Sequence, residues 1–88
     1  MRTTEDIERE YSKYNNLVPN YLSYAKVLRE TNVKDALGIY DNARKYSSVM
    51  IEDAILLNDE DKVEVAERLL NESKRGVIIC KEKLEKTK

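Results

Sequence analysis

Residues 50–63, Met-Ile-Glu-Asp-Ala-Ile-Leu-Leu-Asn-Asp-Glu-Asp-Lys-Val, decide the fold. Upstream of the acidic turn, Leu57, Ala54 and Met50 end a series that runs back through Ser47, Ala43, Tyr40 and Ala36 to Val33. Downstream, Val63 opens a second series through Ala66, Leu70, Ser73, Val77, Cys80 and Leu84. Steps of three and four residues keep each series on one face of an α-helix. Asn58-Asp59-Glu60-Asp61 interrupts the pattern between them. A link this short forces the second helix to turn back beside the first.

The same spacing recurs toward the N-terminus in Ile7, Tyr11, Tyr14, Val18, Tyr21, Ala25 and Leu28, and Thr31-Asn32 separates it from the middle series. Strand alternation fits none of the three segments. The reading is all-α: an antiparallel up-down-up bundle of three long helices, over Thr4–Glu30, Val33–Leu57 and Glu60–Lys86, forming one domain over residues 1–88. Each helix is about 40 Å long at 1.5 Å per residue. Thr3 or Thr4 caps the first and Asn32 the second. Pro19 crowds the carbonyl of Asn15, yet the stripe keeps its phase from Val18 to Tyr21. One helix kinked near Pro19 is therefore expected, rather than two short ones.

Composition narrows the chemistry. The 88 residues hold 16 Lys+Arg and 17 Asp+Glu, one Cys and no His. Triads that need histidine are excluded, and one cysteine builds neither an internal disulfide nor a cysteine zinc site. Cys80 reads as a small buried residue. No metal, cofactor or small-molecule substrate is expected, and the chain is not expected to be an enzyme. Glu5, Glu8, Glu52, Asp53, Glu64, Glu67 and Glu72 all fall off the stripes and read as solvated carboxylates. The acidic turn lacks the glycine and glutamate of a calcium loop: counted from Asp59, those positions hold Glu64 and Leu70. No run is apolar enough to span a membrane, and the N-terminus has no apolar h-region. A cytoplasmic location is the expectation.

Gly76 sits inside the third helix, where glycine costs about 1 kcal/mol relative to alanine. Close approach of a neighbouring helix explains it, with Ala36, Ala43, Ser47, Ala54, Ala66 and Ser73 as further small residues and the tyrosines of the first helix packed against them. In the third helix, residues 59–73 hold six acids and two bases, and residues 74–88 six bases and two acids. That order suits the helix dipole. The last residues, Lys86-Thr87-Lys88, are expected to fray.

Apolar residues left over from the stripes give the functional clue. They are Val49, Ile55 and Leu56 in the second helix and Val65, Ile78 and Ile79 in the third. Val49, Ile55, Leu56 and Val65 lie near the 58–61 turn and could form one patch. Contiguous exposed apolar surface marks a binding face. The expected partner is a protein, the chain's own copy being the simplest. The alternative is a small nucleic-acid-associated regulator using Lys74, Arg75, Lys81, Lys83 and Lys86; the near-neutral charge weighs against it.

The segment Val33-Lys34-Asp35-Ala36-Leu37-Gly38-Ile39-Tyr40 resembles the opening of the helical hairpins of tetratricopeptide repeats and of microtubule-interacting and transport domains. Both are adaptor families that bind peptides or helices. The resemblance implies an adaptor role, although no repeat at a fixed period is present.

Overall fold

The computed structural model describes residues 2–86. Three helices make up the chain: α1 (Thr4–Leu28), α2 (Val33–Leu56) and α3 (Glu60–Lys86), with no strand among the described residues. They form the expected antiparallel bundle, 48 Å in its longest dimension. Lys86, expected to fray, is the last residue of α3; the expected fraying of Thr87 and Lys88 lies outside the described residues.

Local chemistry sets each boundary. Thr3 caps α1: its hydroxyl accepts from the Asp6 amide at 3.1 Å, and the Asp6 carboxylate accepts from the Thr3 amide at 3.2 Å. Two orphan donors are thereby satisfied reciprocally. Asn32 caps α2, accepting from the Asp35 amide. α1 continues through Pro19 as one helix. Only the missing amide of Pro19 is lost, and its exposed ring faces water.

The α2–α3 turn is tighter than its sequence suggests. Asn58 takes the left-handed conformation at φ 54°. The Asp59 amide donates to the Ala54 carbonyl and the Asn58 amide to the Ile55 carbonyl, a Schellman closure that uses up the last carbonyls of α2. Asp59 then starts α3, its carboxylate accepting from the Lys62 amide at 3.1 Å.

This turn fixes how α2 and α3 line up. Leu56 and Glu60 flank it. Tyr40 lies sixteen residues before Leu56, and Gly76 sixteen after Glu60. These two meet: a Cβ at position 76 would fall within the Tyr40 ring. The register therefore holds over the whole hairpin, and it sets Met50 level with Ala66, Ala43 with Ser73, and Ala36 with Cys80. All six are fully buried. Small side chains let the two backbones approach closely. Ser47 and Ser73 turn their hydroxyls onto the carbonyls of Ala43 and Leu69 at 2.7 Å, which satisfies them within their own helices.

Two expectations about the core need correction. The residue over Gly76 is Tyr40 of α2, not a tyrosine of α1. Tyr14 and Tyr21 instead pack against Tyr46, with Tyr14 stacked on it at 4.8 Å between ring centres. And the large residues of the α3 stripe are not its most buried ones. Val63, Leu70, Val77 and Leu84 are half-buried, while Ala66, Ser73, Gly76 and Cys80 form the innermost row. Close packing draws the small residues inward and leaves the larger ones on the flank.

Candidate docking surface

No helix of the described residues is long and apolar enough to cross a membrane. Five large apolar side chains are exposed: Tyr24 at 59%, Val27 at 71%, Ile55 at 62%, Leu56 at 64% and Ile78 at 56%.

Of the six residues proposed from sequence, Ile55, Leu56 and Ile78 are exposed, and Val49, Val65 and Ile79 are half-buried. The six do not share one patch. Ile55 stands level with Asp61 and Ile78 with Gly38, so about 25 Å of helix separates them. Ile55 and Leu56 are consecutive, so 100° of helix rotation points them in different directions. Val65 lines a shallow recess with Tyr11, Asn15, Asp59, Asp61 and Lys62, facing α1 rather than the rim of α2. Tyr24 is one of the four tyrosines that crowd the first helix in the sequence, and Val27 was not singled out there. Their signal was available, because both fall between the stripe positions Tyr21, Ala25 and Leu28.

The outer face of the α2–α3 hairpin carries a row of partly buried apolar side chains. Val63, Leu70 and Val77 recur there every seven residues, each half-exposed. Beside Val77, a groove of about 380 Å³ is lined by Lys34, Leu37, Gly38, Asp41 and Lys81. No Cβ at Gly38 would touch anything, so its bare backbone leaves the groove floor open. Lys34 and Lys81 flank the opening. At the turn end the same face carries Ile55.

Two polar clusters compete for attention. At the turn end of the bundle, Arg2 bridges Glu10 and Asp53 with 3.0 Å contacts to both. Asp53 was expected to be solvated, and it is not: it is 1% exposed, and its Oδ2 is buried without a hydrogen-bond partner among the described residues. It lies one position from the α2 stripe and is covered by α1, which the periodicity of α2 alone does not reveal. Burial, aided by the neighbouring Glu10 carboxyl, pushes the Asp53 carboxyl above its ordinary range, while Arg2 pulls the other way. The triad ties the segment preceding α1 to α2.

At the opposite end, Arg29 donates to the Tyr40 hydroxyl at 3.3 Å, and Lys83 pairs with Glu30 at 3.8 Å. Cys80 is buried, and burial raises its thiol above the usual range. A protonated, enclosed thiol packs as a small apolar group. Among the described residues, no three Cys, Asp or Glu side chains gather where a metal ion could be held.

Two of the basic residues of the nucleic-acid reading have acidic neighbours. Lys83 is engaged by Glu30, and Arg75 shares its stretch of α3 with Glu64, Glu67 and Glu72.

Comparison with known proteins supplies no relative: no protein-family model, curated protein or solved structure matches the chain.

Proposed function

We propose that this chain is a non-catalytic helical module that works by protein–protein association, its own copy being the partner. The observation that carries this reading is the set of large apolar side chains left outside a core that is already closed, foremost Ile55, Leu56 and Ile78. A bundle of small-residue seams buries little per helix, and covering the exposed groups adds roughly 25 cal/mol for each Å² removed from water. A cytoplasmic setting suits a charge-rich chain whose one cysteine is an enclosed thiol.

Sedimentation equilibrium from low to high micromolar concentration tests the reading. Mass that rises with concentration, and that Ile55→Ser, Leu56→Ser and Ile78→Ser together suppress, is the expected result. A strict monomer throughout the range overturns it.

A further inference from the structure

We infer that two copies pair antiparallel through the outer α2–α3 face, with Leu70 at the two-fold axis. This rests on the self-association reading above and specifies its geometry.

Two rows on α3 carry the argument. Val63, Leu70 and Val77 are half-buried and spaced by seven residues. Glu60, Glu67, Lys74 and Lys81 repeat at the same interval and are all exposed. Seven residues are nearly two full turns, so each row stays on one side of the helix. The charged row begins three residues before the apolar one and flanks it on the side away from the core.

The order of charges along that row is acid, acid, base, base. Turned end for end about Leu70, it matches itself to within one residue. Val63 of one copy falls on Val77 of the other, Leu70 on Leu70, Glu67 on Lys74 and Glu60 on Lys81. A parallel arrangement would instead set Glu on Glu and Lys on Lys. Flanking charges of this kind select orientation in paired helices. The dipole of α3 explains why acids precede bases. It does not explain why they recur at the interval of the apolar row.

Within the chain these charges are unused: among the described residues, none of Glu60, Glu67, Lys74 and Lys81 takes part in an ion pair. The ion pairs formed involve other residues, including Arg44 with Asp41 and Lys83 with Glu30.

The α2 rim agrees with the same axis. Ile55, level with Asp61, falls over the second copy's groove lined by Leu37, Gly38 and Val77. The second copy returns its Ile55 to the first. This is the isologous exchange that two-fold symmetry requires.

Charge reversal on the full chain tests the inference by sedimentation equilibrium at low salt, with circular dichroism to verify that each variant stays helical. Glu67→Lys alone and Lys74→Glu alone each replace two attractive contacts per dimer by repulsive ones. Each is expected to weaken self-association roughly tenfold or more. An equimolar mixture of E67K and K74E restores opposite charges at both contacts and is expected to recover the wild-type association. Leu70→Cys is expected to crosslink to itself on oxidation, and Val63→Cys is not. A wild-type chain that associates while both reversals leave its affinity unchanged, or a Val63→Cys chain that crosslinks as readily as Leu70→Cys, overturns the antiparallel face and leaves the association reading standing. A wild-type chain that never associates overturns the association reading itself.

Discussion

Tyr40 lays its ring across the bare backbone of Gly76, where a Cβ would have to stand inside the ring. The contact couples a residue of 3% exposure to a glycine in mid-helix. Gly76→Ala gains about 1 kcal/mol of helix propensity. It also forces the part of the Tyr40 ring nearest the backbone to move, and overpacking of this kind costs more than the gain. The expected net loss is about 2 kcal/mol, read as a Tm lower by on the order of 10 °C. In a Tyr40→Ala background the same substitution is expected to stabilise. A double-mutant cycle that shows no coupling between the two positions would contradict the contact.

Asp53 makes stability depend on pH in an unusual sense. Its folded-state carboxyl titrates above the ordinary value of 3.8 because it is buried. The folded chain therefore holds this proton to a higher pH than the unfolded chain does. The contribution of Asp53 is most favourable below the ordinary carboxyl range and is lost as pH rises through the raised value. Asp53→Asn is expected to flatten that part of the profile. It should raise stability at pH 7 by about 1 kcal/mol, since it removes a buried charge held by a half-exposed arginine. Urea melts of both proteins at pH 4.5 and pH 7 provide the measurement; a variant less stable than wild type at pH 7 alone would refute the expectation.

Asn58 pays for its left-handed backbone. Asparagine tolerates that region better than most residues, and glycine better still. Asn58→Ala is expected to cost about 1 kcal/mol and Asn58→Gly to cost nothing or to stabilise slightly. Paired denaturant titrations would expose the ordering, and equal stabilities for the two variants would argue against the strained turn.

Pro19 interrupts α1 without ending it. Alanine there restores an amide donor and relieves the crowding of the Asn15 carbonyl, on an exposed side of the helix. Pro19→Ala is expected to raise stability by about 1–3 kcal/mol. Thermal melts by circular dichroism decide it, and an unchanged Tm would mean that the helix already accommodates the proline at no cost.

Much of this architecture was legible in the sequence. The helices end within two residues of their expected bounds, because Thr3, Asn32 and the 58–61 turn carry their own capping chemistry. Gly76 was recognisable as a point of close approach. The identity of its neighbour was not, since which helix supplies the covering ring depends on rotation about the helix axes. The buried state of Asp53 was hidden for a related reason: a single-stripe reading allows each helix one inner face, whereas α2 packs on both neighbours and has a second buried flank. The six leftover apolar residues were chosen as off-stripe positions. Their scatter over several sides of the hairpin needed the register that Tyr40 and Gly76 define.

The Schellman closure at Asn58 has a bearing on how the connector can vary. Its composition can change at modest cost, but its length cannot. One inserted residue would turn α3 by 100° about its axis and slide it by 1.5 Å relative to α2. Tyr40 would then meet a substituted position instead of glycine, and the charged row of Glu60, Glu67, Lys74 and Lys81 would swing away from the rim that holds Leu37 and Ile55. Phase, not reach, is what this three-residue segment preserves.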